Sequence, residues 1–206
     1  MRLINRSGLT PVTVAALIAV SVGTTTAQTG TFTDSRDKQT YKTVTVGTQT
    51  WMAENLNYPP KTGKSWCYNN SADSCKKFGR LYDWEAAKTA CPAGWKLPDT
   101  ADWRKLVKSA GGQEIAGKKL KSTGGWKGAK GDGNGTDVYG FSALPGGYRD
   151  SDGSFYHAGD NGCWWTATEV GSDNSYFIGM RYGDGSVSEN GHGYKNVGDS
   201  VRCVQE

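Results

Sequence analysis

Five cysteines, at positions 67, 75, 91, 163 and 203, constrain this chain more than any other feature. An odd number leaves at least one thiol without an intrachain partner, and the other four can staple a fold. Whether they do depends on compartment, because thiols stay reduced in the cytosol and oxidise outside it. The N-terminus bears on that question. Arg2 and Arg6 open the sequence, no acidic residue precedes Asp34, an apolar run extends from Val12 to Val22, and GTTTAQ follows. This is the layout of a secretory signal, with Thr25 and Ala27 as the small residues before a cut at Ala27/Gln28. The apolar run is too short to cross a hydrocarbon core that takes roughly 20 residues. The first cysteine is Cys67, which argues against a lipid-anchored N-terminus. Residues 1–27 are thus expected to be a signal peptide, residues 28–206 one exported domain, and the cysteines disulfides rather than metal ligands.

Spacing alone does not select among the possible pairings. Cys67 and Cys75 bound CYNNSADSC, a polar stretch of turn residues in which a local staple is natural. The formal charge of +4 includes Arg2 and Arg6, so the mature chain is nearer neutral. Its lysines and aspartates are interspersed, which leaves no electrostatic footprint for nucleic acid. No later stretch is apolar enough to span a membrane. With 29 glycines, about twice the usual share of roughly 7%, 8 tryptophans and only 36% hydrophobic residues, tight turns and aromatic packing should replace a large aliphatic core.

The order of elements reads as α+β in a single domain. TYKTVTV (40–46), Gly47 and TQTWM (48–52) predict a hairpin, and Pro59-Pro60 excludes regular structure just beyond it. Residues 61–80 read as a loop holding the short cysteine pair. One helix is expected from about Asp83 to Ala90, ended by Cys91-Pro92. A second starts at an Asp99 N-cap with Asp102 at N3, near to a capping box. It presents Trp103, Leu106, Val107 and Ala110 on one face and stops at Gly111-Gly112. A shorter helix over Glu114–Lys121 is a third candidate. The glycine-rich run 122–140 lacks periodicity and is expected to be a long loop. FSAL, GGYRD, SFYHAG, CWWTATE, SYFIGMRY and SVRCVQE then read as short strands.

Six blocks in one order carry a resemblance: TFTDSRDKQTYKTVTVGTQTWMAENLNY, FGRLYDWEAA, CPAGWKLPDTADWRKL, GFSALPGGYRDSDGSF, WWTATE and SVRCV. Together they resemble the Fibrobacter succinogenes major paralogous domain family over roughly residues 30–206, a set of exported bacterial proteins without an established activity. The helix–GWxLPxxxxW–glycine loop–paired Trp–RC order is in turn similar to the C-type-lectin-like fold, on which formylglycine-generating and sulfatase-modifying proteins are also built. That likeness implies a disulfide from the first helix region to the last strand, here Cys91–Cys203. Such a bridge, closing more than a hundred residues, is worth roughly 4–5 kcal/mol on a chain-entropy model. Cys163 has no counterpart in that scheme and is expected to be a free thiol.

Three kinds of site are weighed. Aromatic residues of the loop-rich half, Trp126, Tyr148, Tyr156, Trp164 and Trp165, are candidates to stack on sugar faces, with Trp51, Trp84, Trp95 and Trp103 assigned to the core. Adjacent strand positions point Trp164 and Trp165 to opposite faces, so one of them should be open if one face is solvated. Asp132, Asn134 and Asp137 in GDGNGTD place alternating oxygens on a flexible backbone, as calcium requires, although Asp, Asn and Gly are also ordinary turn residues. For catalysis, His157 and His192 are the only histidines, a Cys163–His nucleophile conflicts with export, and Glu54, Glu169, Asp99 and Asp102 show no pairing. The reading that results is an exported or cell-surface binding module. It recognises carbohydrate or another surface polymer through loop aromatics, with no cofactor other than calcium. The rival readings are a structural or protein–protein module of the cell envelope, and a cryptic enzyme on a formylglycine-generating-type fold.

Overall fold

The computed structural model describes residues 27–128 and 133–206. The expected signal peptide therefore lies, Ala27 apart, outside the described residues. Strands β1 (Gln28–Thr33), β2 (Thr40–Val46) and β3 (Gln49–Met52) are followed by β4 (Ser65–Trp66), α1 (Ala72–Phe78), β5 (Leu81–Tyr82) and α2 (Trp84–Ala90). Next come β6 (Trp95–Lys96), α3 (Thr100–Ser109) and α4 (Gln113–Leu120). The C-terminal half holds β7 (Tyr148–Arg149), β8 (Phe155–Tyr156), β9 (Asn161–Val170), β10 (Asn174–Arg181), β11 (Ser188–Tyr194), β12 (Asp199–Ser200) and β13 (Val204–Gln205). The result is one α+β domain.

Local chemistry explains most boundaries. Gly47 sits at φ +63 in the turn between β2 and β3, a backbone state costly for residues with a Cβ. Asp83 caps α2 by accepting from the Ala86 N–H. Asp99 and Asp102 form a reciprocal capping box on α3, with Asp standing where Glu or Gln is usual. Helix α1 falls inside the stretch read from sequence as loop. It is short and polar, with Cys75 its only buried residue, so it lacks the apolar stripe that announces a helix, and the Cys67–Cys75 bond ties it down. The FSAL segment, expected as a strand, contributes only an isolated bridge from Ala143 to Lys121.

The strands form an antiparallel five-stranded sheet ordered β1-β2-β3-β13-β6 and a six-stranded sheet ordered β11-β10-β9-β12-β5-β4, with β7-β8 as a separate hairpin. In the larger sheet only the β9–β12 pair is parallel. The last residues stitch the two sheets together. Asp199 and Ser200 belong to one, Val204 and Gln205 to the other, and Val201, Arg202 and Cys203 between them are buried. Cys203 is bonded to Cys91 at the end of α2. Two apolar clusters flank the larger sheet. Trp51, Trp103, Phe141, Trp164 and Ile178 belong to one, and Tyr41, Tyr82, Trp84, Trp95 and Trp165 to the other.

Candidate functional site

Three of the five aromatic candidates are interior. Trp164 and Trp165 are fully buried and Trp126 is 4% exposed. Each indole N–H is satisfied inside: Trp126 donates to Ala143 O at 3.0 Å, Trp164 to Asn55 Oδ1 at 2.9 Å, and Trp165 to Tyr82 O at 2.8 Å. They cannot stack on a ligand. The alternation of Trp164 and Trp165 across β9 holds, but both faces of the strand are covered, one by each apolar cluster. Tyr148 and Tyr156 are brought together on the β7–β8 hairpin, with ring centroids 5.8 Å apart. Tyr156 is exposed and Tyr148 half-buried.

Tyr148 forms one wall of a cleft of about 470 Å³ over β9, β10 and β11. This volume falls in the range of small-ligand sites, roughly 300–1,000 Å³. The floor comes from the strand register: Cys163 on β9 pairs with Gly179 on β10, and Gly179 offers no side chain to fill the space above. Gly179 has an ordinary backbone, and a Cβ placed there would meet Ser188 Cβ only at 3.6 Å. Phe177 and Tyr194 add two more aromatic walls, and Tyr194 is 62% exposed. Gly191 lacks a Cβ where the Phe177 ring lies, 2.5 Å from the position that atom would take.

Polar groups converge on the same space. Asn161, Arg181, Asp184 and Asp199 all line the cleft. Asp199 is 3% exposed. Among the described residues its carboxyl group has no side-chain hydrogen bond and no ion-pair partner, so burial alone drives its pKa from 3.8 up to about 7. Burial also pushes the Cys163 thiol well up, with the nearby Asp199 adding to the effect. The turn bearing Arg181 and Asp184 is anchored from outside the cleft. Lys121 Nζ donates to the carbonyl oxygens of Arg181 at 3.0 Å and Asp184 at 2.7 Å, although burial pulls this lysine down to about 8.

Four of the remaining candidates, Asn134, Asp137, Glu54 and Glu169, have structural partners. Asp137 accepts from the Ser142 N–H at 2.7 Å and hydroxyl at 2.6 Å, and Asn134 Oδ1 accepts from the Trp126 N–H. Asp132 lies outside the described residues. Glu54 accepts from the Lys42 N–H, and Glu169 pairs with Lys195 at 2.7 Å. His157 and His192 are exposed. The bonds observed are Cys67–Cys75 and Cys91–Cys203, with Cys163 free and buried.

Sequence reading missed Phe177, Arg181, Asp184, Tyr194 and Asp199 as site residues, and of the strands that build the cleft it missed β11. SENGHGY has no β-branched residue and two glycines, the opposite of a strand signature. The blocks that looked most telling instead meet at Asn55. Its side chain donates to Phe78 O and accepts from Trp164 and Arg202, while Arg202 donates to the carbonyl oxygens of Phe141 and Ser142. WMAENLNY, FGRLYDWEAA, GFSALPGG, WWTATE and SVRCV thus share one buried hydrogen-bond network.

These features define a single α+β domain closed by a long disulfide, with its tail threaded through two sheets and an aromatic-walled cleft on one of them. The Fibrobacter succinogenes major domain model matches residues 44–205, and the chain belongs to that family. No curated protein and no solved structure matches it.

Proposed function

We propose that this chain is an exported binding module of C-type-lectin-like fold that takes a carbohydrate in the cleft over β9–β11. The observation that carries this reading is the convergence of three aromatic walls, Tyr148, Phe177 and Tyr194, with the polar side chains of Asn161, Arg181, Asp184 and Asp199 around one open space. Rings offer flat apolar faces to the C–H side of a sugar, and planar polar groups match its hydroxyls. The long Cys91–Cys203 bridge and the return of the last strand beside β3 support the fold assignment. Two disulfides fit a protein that works outside the reducing cytosol. Among the described residues no helix is long and apolar enough to cross a membrane.

Calorimetric titration with a panel of soluble oligosaccharides tests the reading, with Tyr194→Ala as the paired variant. Tyr194 is mostly solvent-exposed, so its loss should leave the fold intact and weaken binding at least about tenfold, the scale of a single well-placed aromatic contact. Absence of binding across the panel, or equal binding by the variant, overturns it.

A further inference from the structure

We propose that the cleft selects an amino sugar, and that the Asp199 carboxylate receives the protonated amine of that sugar. The inference rests on the carbohydrate reading above and adds the charge of the ligand. A carboxylate buried to 3% exposure with no partner is costly to keep, and an unmet buried charge calls for an opposite one. Nothing among the described residues supplies it. Arg181 lines the same cleft, but no ion pair joins it to Asp199 among those residues, and Asp184 is a second acid on that wall. The other ionisable groups of the lining are Tyr148 from β7, Cys163 from β9 and Tyr194 from β11, none of them cationic. Strand β5, paired with Asp199, contributes the backbone of Tyr82, whose hydroxyl is bonded to Tyr58 O. Aromatic walls favour the same ligand, because an ammonium is attracted to ring faces. A neutral sugar leaves this carboxyl group protonated below about pH 7 and uncompensated above it, whereas an amino sugar gives its ionised form a counter-charge.

The charge balance is specific. In the free protein burial keeps Asp199 largely protonated below about pH 7. When the sugar's ammonium group enters, the carboxyl group gives up its proton to solvent and the ammonium stays charged. Binding therefore releases one proton and forms a carboxylate–ammonium ion pair.

The test compares a glucosamine trimer with its fully N-acetylated counterpart by titration calorimetry at about pH 5.5, in two buffers of different ionisation enthalpy. The expected result has three parts. The free-amine trimer binds at least about tenfold tighter, close to one proton is released per ligand, and Asp199→Asn loses both the preference for the free amine and the proton release. A thermal melt verifies that the variant is folded. Equal affinity for the two trimers, or no proton release, overturns the amine inference and leaves the carbohydrate reading standing. Failure of both trimers to bind overturns both for this class of sugar. Binding of Nα-acetyl-lysine methylamide as tight as that of the trimer overturns the sugar half of the proposal and points to a lysine-bearing partner.

Discussion

Asn55 Oδ1 and Arg202 Nη2 lie 2.7 Å apart, joined across 147 positions of sequence in the interior of the domain. Among the described residues no carboxylate bonds to Arg202. Its guanidinium is satisfied by one amide oxygen and two main-chain carbonyls, and burial brings its pKa down to about 9. The same amide oxygen takes the Trp164 indole N–H at 2.9 Å. Replacing Asn55 by Ala therefore leaves the Trp164 N–H without its acceptor and the buried Arg202 cation with only its two main-chain carbonyls. Loss of roughly 3–5 kcal/mol is expected in denaturant unfolding. A loss below about 1 kcal/mol, the size of one ordinary hydrogen bond, would mean that the network is not what holds these blocks of sequence together in space.

The two disulfides should differ in weight. On a chain-entropy model the Cys91–Cys203 bond, with a separation of 112, is worth about 5 kcal/mol, and the Cys67–Cys75 bond, with a separation of 8, about half that. Paired Cys→Ala variants measured by thermal unfolding should keep that order. The reverse order would show that α1, which the short bond secures, contributes more than its size suggests.

Much of this was legible in the sequence, and what failed did so for physical reasons. The hairpin, α2 and α3 carry their own start and stop signals in Gly47, Asp83, Asp99 and Asp102. The aromatic rings could not be sorted into inside and outside that way. Trp164 and Trp165 alternate as any strand pair does, and only the second apolar cluster, assembled from Tyr41, Tyr82 and Trp84 far upstream, decides that both are buried. The cleft was invisible for a related reason. It exists because Gly179 lacks a side chain where β9, β10 and β11 come together, and no periodicity marks a missing side chain.

Asp199 should show its cost in the pH dependence of stability. Its pKa rises from an ordinary 3.8 to about 7 in the fold. Between those values the folded protein keeps a proton that the unfolded chain has lost, so this residue withdraws stability as the pH climbs and is neutral below about pH 4. The full effect is on the order of 4 kcal/mol above about pH 7. Asp199→Asn should thus melt at a higher temperature than the parent at about pH 8 and match it at about pH 4. A variant less stable than the parent at the higher pH would place Asp199 among residues kept for the fold.

Gly179 offers a way to close the cleft without damaging the domain. Its φ is ordinary for any residue and a Cβ there meets only normal contacts. Gly179→Val should change stability by no more than about 1 kcal/mol and abolish oligosaccharide binding in titration calorimetry. Retained binding would move the site elsewhere on the surface.

Backbone amide shifts recorded while an oligosaccharide is titrated into isotope-labelled protein test the placement of the site most directly. Changes are expected to concentrate at Gly179, Gly193, Tyr194 and Val197, the amides around the cleft. Changes confined to the glycine-rich run 122–140, or to the Tyr156–His157 end of the β7–β8 hairpin, would contradict it.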